Sequence, residues 1–468
     1  YVTNHKKDPD FSLGVQHHLA RKIARESAVL LKNDGALPLK SSGRIAFIGA
    51  FAETPRYQGG GSSHINASET TSALQAARSV AQVRYAQGYR TDNGETDAAL
   101  RDEAVKLAQE SDVAVVFAGL PDAFESEGFD RAHMRMPDCQ NELIDAVCAV
   151  CKKVVVVLHN GAPIELPWFD RVQAVLEMYL GGQAVGGAAV DLLFGAVSPC
   201  GKLAETFPLR LEDNPSYLNF PGDGDHVRYA EGLYVGYRWY DARKMSVRFP
   251  FGFGLSYTTF EYSNLRLSAE KLGADGTLEV SVDVTNTGKF GAKEIVQLYV
   301  ASAHDGVSRP VQELKGFEKV YVAPGKTETV TMALDRRAFS YFNTDIHDWY
   351  AEDGAYEIRI GASSRDIRLT AKVELTGAKP LPVHVTADTT IGDLMRIPGA
   401  DKLMAQVMGA MGGAFGGGDT PALGEGADAM MAAMIEGTPL HSCKSFTGGA
   451  FTDEMMNGLI DALNEMQK

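Results

Sequence analysis

Four short apolar runs constrain the first half of this chain more than any other feature. They are Arg44 to Ile48, Val113 to Phe117, KKVVVVLHNG (152–161) and VQAVLEMYLGG (172–182). Each is too short for a globular helix and lacks the polar alternation of a half-exposed strand, so each reads as a strand covered on both faces. Helical patterns alternate with them: Ser12 to Leu31, Glu69 to Val80, Asp97 to Gln109 behind Thr96 as candidate N-cap, Pro137 to Val150, and Gln183 to Phe194. Val83 to Tyr85 adds a short strand. Strand and helix in alternation predict a mainly parallel sheet flanked by helices, an α/β sandwich placed at residues 12–215. In the first helix, Leu19, Ile23 and Leu30 fall on one stripe, expected to face the core.

From Phe253 the pattern changes to short strands with turn signals. Seven runs qualify: TTFEYSNLRL, LEVSVDVTN, KEIVQLYV, QELKGFEKVYV, TETVTMAL, YEIRIG and DIRLTAKVEL. Period-two alternation is clear at Leu278, Val280, Val282 and Val284. This predicts an all-β sandwich of immunoglobulin or fibronectin III type at 252–376, without the Cys–Trp–Cys core of antibody domains. Residues 216–251 form a connector too aromatic for a loose linker, expected to drape over the first domain. Residues 377–468 form a Met- and Gly-rich tail with helices expected at Thr390 to Met411, Ala427 to Ile435 and Thr452 to Met466. Methionine-rich helices form adaptable surfaces, so a homo-oligomer is one expectation and docking on the same chain the other.

The net charge of −15 over 468 residues, with no basic run, argues against a nucleic-acid partner. No uninterrupted apolar stretch is long enough for a membrane helix. Cys139, Cys148, Cys151, Cys200 and Cys443 are odd in number and scattered, so they are no disulfide framework, and a reducing, cytoplasmic compartment is favoured. Cys148 and Cys151 make a C-x-x-C late in a helix, not at a helix start where thiolates are stabilised. The chain opens YVTNHKKDPDF, without an initiator methionine or signal peptide, as if cut from something longer.

Two loops hold the candidate chemistry. After the strand at Val113 to Phe117 comes a segment crowded with Glu125, Glu127, Phe129, Asp130 and Arg131, ending at Pro137. If that strand is parallel, the loop lies at its carboxyl end, where open α/β sheets bind ligands. After Arg44 to Ile48 comes Gln58, Gly59, Gly60, Gly61, Ser62 and Ser63. The glycines permit close backbone approach, yet the pattern is neither a dinucleotide fingerprint nor a phosphate loop. No histidine or cysteine spacing points to a metal, and no cofactor is expected.

These stretches together resemble glycoside hydrolase family 3, the β-glucosidase family. The likeness is carried by ARESAVLLKNDGALPL, QGGGSS, ESEGFDR, GGQAVGGAAVDLLFGAVSPCGKLAETFP, YAEGLYVGYRWYD and FPFGFGLSYTTFEY. VQLYV, SRPVQELKGFEKV and APGKTETV are similar to that family's fibronectin type III-like domain. The resemblance implies a retaining β-glycosidase acting on a terminal β-linked glycoside or oligosaccharide. Its general acid/base would be Glu127, with Glu125 as competitor. Its nucleophile would come from a (β/α)₈ barrel whose motif is not found in these residues. Phe129 is the candidate for stacking on sugar or aglycone, and Ser62 and Ser63 for contacting the sugar. A raised pKa is expected for the acid, through burial or the charge of Glu125 or Asp130, with Arg131 opposing unless it pairs with Asp130. The competing reading is a non-catalytic sugar-binding or scaffold module.

Overall fold

The computed structural model describes residues 12–304, 306–400, 430, 433–446, 449 and 451–466. In chain order the first part runs α1 (Leu13–Ser27), β1 (Val29–Asn33), β2 (Ile45–Ile48), α2 (Ala50–Glu53), α3 (Ala73–Ala77), β3 (Val83–Ala86), α4 (Ala98–Gln109), β4 (Val113–Gly119), α5 (Asp138–Val150), β5 (Val154–His159), β6 (Ala174–Glu177) and α6 (Val185–Leu193). Six strands make one sheet in the order β1-β6-β5-β4-β2-β3. All neighbours are parallel except β1, which pairs antiparallel with β6, Val29 opposite Glu177. Every residue of β5 and β6, and all of β4 but Val113, is buried, as strands covered on both faces require.

The order fixes where a ligand belongs. From β2 the chain crosses to β3 on one side, then returns to β4 on the other. The winding therefore reverses between β2 and β4, and in open α/β sheets the crevice beyond the carboxyl ends at that point is the binding site. The loops that follow β2 and β4 are the glycine loop and the carboxylate loop.

Local chemistry explains where elements differ from expectation. The first helix stops at Ser27, because Ala28 turns extended and Val29–Asn33 joins the sheet. Leu30 is buried in that strand, but Leu19 is 47% and Ile23 57% exposed, so the expected core stripe faces outward. The helix instead meets α6 through Arg21, whose guanidinium donates to Asp191 at 2.6 and 2.8 Å. α3 is shorter than expected because the residues before it are extended. Thr71 donates to the Gln183 carbonyl at 2.9 Å, and Ser72 caps the helix. α4 is capped by Asp97, which accepts from Ala99 and Leu100, while the Thr96 hydroxyl donates to Glu142 at 2.6 Å.

All seven expected β runs are strands. One sheet holds Glu313–Val322, Ala292–Ser302, Gly354–Ser363, Asp366–Leu375 and the additional short Lys271–Leu272; the other holds Thr327–Leu334, Leu278–Asn286 and Phe260–Leu267. Val280, Val282, Val284, Leu298, Ile358 and Ile360 lie in the core between them. The connector is divided. Its later part joins the α/β and β-sandwich parts: Tyr237 stacks on Phe251 at 4.7 Å, its hydroxyl accepts from Leu314 N–H at 2.9 Å, and Phe249 packs against Phe207, Phe253 and Phe169. Its earlier part does not drape as expected, for Leu218 is 91% and Tyr229 85% exposed. At the same junction Lys202 and Glu294 form a buried ion pair at 2.9 Å, and the Tyr262 hydroxyl donates to Glu294 at 3.2 Å.

A second unit comprises Phe342–Trp349 and the residues from Lys379 onward. Its core holds Val385, Ile391, Leu394, Leu440, Phe451, Met456, Leu459 and Leu463. The helix expected from Thr390 is short, Ile391–Met395, because Pro398 bars further helix. Residues 401–429, with Met404, Met408 and Met411, lie outside the described residues, as do most of the helix expected at Ala427 to Ile435 and Met431. Asp453–Glu465 is helical behind the Thr452 cap. Among the described residues no helix is long and apolar enough to cross a membrane.

Candidate active site

The carboxyl edge of the sheet gathers four segments. Arg56 and the glycine loop follow β2, residues 120–137 follow β4, Asn160 and Gly161 follow β5, and Glu177 ends β6 with Tyr179 behind it.

Arg56 binds the first two together. Its side chain is only 4% exposed; it pairs with Asp122, donates to the Glu125 carbonyl at 2.7 Å and lies 3.6 Å from the Glu125 carboxylate. Glu125 accepts from Gly161 N–H at 2.8 Å. Glu125 is thus engaged in fixing the loop, while Glu127, two residues on, is exposed.

Glu127 meets the glycine loop directly: Ser62 N–H donates to its Oε2. Gly61 stands at φ +83°, and a Cβ built on it would fall on the side chain of Glu127; one built on Gly60 would fall on Ser126. Gly60 and Gly61 therefore let this backbone lie against the carboxylate segment. Of the residues nominated from sequence, Glu127 and Ser62 are brought together. The Ser63 hydroxyl turns back to the Gly60 carbonyl at 3.4 Å, and Phe129 is half exposed.

The electrostatics differ from expectation. Glu127 is held below the ordinary glutamate value by hydrogen bonds from the Ser62 hydroxyl and then its N–H, not raised by burial. The charge of Glu125 acts elsewhere. Glu177 is completely buried, and desolvation first, with Glu125 and Glu205 adding, pushes it up to about 8. Its oxygens accept from Asn160 Nδ2 at 3.0 Å and from Tyr179 N–H at 2.8 Å. Glu205 is pushed up to about 7 by burial and then by Glu125, with Arg131 opposing. Arg131 faces Glu125, Glu205 and Glu165 and donates to the Pro163 carbonyl at 3.2 Å; no Arg131–Asp130 pair occurs among the described ion pairs. His159, buried between Phe117 and Phe51, is pushed down to about 4 by desolvation and is neutral. Sequence reading passed over Glu177, whose signal was available: a lone acid inside the apolar run VQAVLEM.

A cleft of about 410 Å³ opens beside the glycine loop, lined by Arg56, Tyr57, Gln58, His64 and Asp122 among others. Burial raises the thiols of Cys139 and Cys148 to about 11, so neither is a ready thiolate.

Comparison with known proteins agrees with this architecture. Residues 28–257 match the glycosyl hydrolase family 3 C-terminal domain, and residues 294–364 match the fibronectin type III-like domain. The chain is 48% identical to thermostable beta-glucosidase B of Acetivibrio thermocellus, over 100% of this chain and 62% of that protein. It is 43% identical to an exo-alpha-(1->6)-L-arabinopyranosidase of Bifidobacterium breve, over 94% of this chain and 58% of the relative. Among solved structures, a GH3 beta-glucosidase of Bifidobacterium adolescentis superposes with a TM-score of 0.80 at 44% identity, covering 85% of this chain and 59% of that one. The chain thus spans about three fifths of the length of these relatives. It belongs to glycoside hydrolase family 3, of which it carries the carboxy-terminal α/β domain and the fibronectin type III-like domain.

Proposed function

We propose that this chain supplies the general acid/base, Glu127, of a retaining β-glycosidase whose nucleophile is borne by a (β/α)₈ barrel. The observation that carries the reading is the place of Glu127: an exposed carboxylate at the crevice where the sheet reverses its winding, on a loop anchored by Arg56 and Glu125. In such a mechanism the nucleophilic carboxylate attacks the anomeric carbon while the acid protonates the departing glycosidic oxygen. The same group then takes a proton from the water that releases the sugar, the two carboxyls standing about 5–5.5 Å apart. Phe129 offers an aromatic face toward the aglycone, and Ser62 and Ser63 polar groups toward the sugar. Terminal β-glucosides are the first substrates of this reading and arabinopyranosides the second, by similarity to the two relatives. No cofactor enters the reaction.

Two further parts of the reading have support of their own. Cys139, Cys148, Cys151 and Cys200 are free thiols, which suits a reducing, cytoplasmic compartment. Met430 and Met434, 60% and 62% exposed, offer a surface for self-association into a homo-oligomer.

The test is hydrolysis of aryl β-glucosides by the chain together with its barrel. Glu127→Ala is expected to lose 10²-fold or more, on the scale of about 10²–10⁴ for general acid–base catalysis. Substrates with good leaving groups, with added azide, restore part of the rate. A Glu127→Ala enzyme that keeps full activity on poor leaving groups refutes the assignment.

A further inference from the structure

The glycine loop does more than leave room. We infer that it is a latch for the acid/base side chain: Ser62 is the positioning residue of Glu127, gripping its carboxylate while no sugar is bound and releasing it when the glycosidic oxygen needs a proton. The inference rests on the assignment of Glu127 as acid/base.

Three contacts make the latch. Ser62 N–H donates to Glu127 Oε2. Gly60 and Gly61 lie so close to Ser126 and Glu127 that neither position has space for a Cβ. Arg56, at the root of the glycine-loop arm, holds the other arm by the carbonyl and carboxylate of Glu125. The two loops flanking the switch crevice are therefore closed on each other at their tips and fastened at their roots.

Chemistry gives the closed state its meaning. A carboxylate accepts hydrogen bonds with both oxygens, whereas a carboxylic acid must spend one oxygen on its own proton. Donors fixed on Glu127 favour the ionised form, and that form has no proton to give to a leaving group. The charged groups around it do not reverse this. Glu125, Asp130 and Arg131 share its loop and His64 lies on the facing one, yet the downward displacement of Glu127 comes from Ser62. His64 meets Gln58 Nε2 at 3.0 Å instead. Leaving Ser62 removes the donors that favour the ionised form, so opening of the two loops makes the proton of Glu127 easier to hold and to give to the glycosidic oxygen, which couples entry of the substrate to opening.

The test follows the carboxyl group itself and needs no turnover. Glutamates are labelled with ¹³C at the carboxyl carbon in the full chain, and the Glu127 resonance is identified by its loss in Glu127→Gln. In the unaltered chain it is expected to titrate below solvated glutamates. Gly61→Ala, which forces the loops apart, is expected to shift it upward. Ser62→Ala, which keeps the backbone and removes only the hydroxyl, gives a smaller upward shift and decides the matter if Gly61→Ala does not fold. An ordinary titration of Glu127 in the unaltered chain, or no shift in either variant, overturns the latch. A displaced titration that responds to the variants, beside full activity of Glu127→Ala with the barrel, would leave the latch standing and remove the acid/base assignment.

Discussion

Glu177 and Glu294 are both withdrawn from solvent, at 0% and 5% exposure, and they are held in opposite ways. Glu294, at the junction of the α/β and β-sandwich parts, has the Lys202 ammonium at 2.9 Å and the Tyr262 hydroxyl at 3.2 Å. Glu177, at the carboxyl edge, receives among the described residues only the dipoles of Asn160 and Tyr179 N–H, and the charges that reach it there are those of other carboxylates. Burial beside a cation makes a structural ion; burial without one makes a neutral acid. The junction has spent its charges on holding the parts together, whereas the edge keeps titratable groups poised near neutrality, as functional sites do.

The comparison breaks most visibly at Lys202. Lys202→Met leaves Glu294 buried without its cation and is expected to destabilise the chain by about 3–5 kcal/mol in denaturant unfolding. Adding Glu294→Leu should restore most of that, since the cost is the orphaned charge rather than the lost pair. If the single variant unfolds like the original, the Lys202–Glu294 pair does not hold the junction.

The next effect belongs to Glu177 and depends on pH. Its folded pKa of about 8 lies above the ordinary glutamate value of 4.5, so between those values the folded chain binds more protons than the unfolded one. Its contribution to stability is complete below about pH 4.5 and is lost as pH rises through about 8, a change on the order of a few kcal/mol. Glu177→Gln removes this slope. Unfolding midpoints at pH 5, 6.5 and 8 should therefore diverge, with the variant gaining on the original toward pH 8; parallel curves would place a compensating cation near Glu177.

The smallest effect sharpens the other side. Tyr262→Phe removes one hydrogen bond from Glu294 while the ammonium stays, and about 1 kcal/mol is expected. A loss as large as that of Lys202→Met would mean that the hydroxyl, not the lysine, carries the junction.

The contrast also marks what a sequence makes legible. The short apolar runs announced β2, β4 and β5, and period-two alternation announced the sandwich strand at Leu278–Asn286, because burial on two faces or one leaves its period in the residues. Family motifs brought out Glu127 and the glycine loop. The outward turn of α1 was illegible, since Leu19 and Ile23 show which residues share a face but not which way that face points. The downward displacement of Glu127 was illegible too, because it arises from Ser62, 65 positions away along the chain. Arg56 left no signal, as a lone arginine reads as surface until a fold encloses it.

The antiparallel pairing of β1 with β6 sets a timetable for synthesis. β1 ends at Asn33, and its partner begins at Ala174. At about 5–20 residues per second, the ribosome needs about 7–28 s to make the roughly 140 residues between them. Through that interval Val29, Leu30 and Leu31 wait as a strand without a neighbour, the kind of edge that pairs with other chains. The last strand of the sheet to be made is the one that covers the first, so the yield of folded protein should respond to translation speed through 34–173 more than to changes in the β-sandwich beyond.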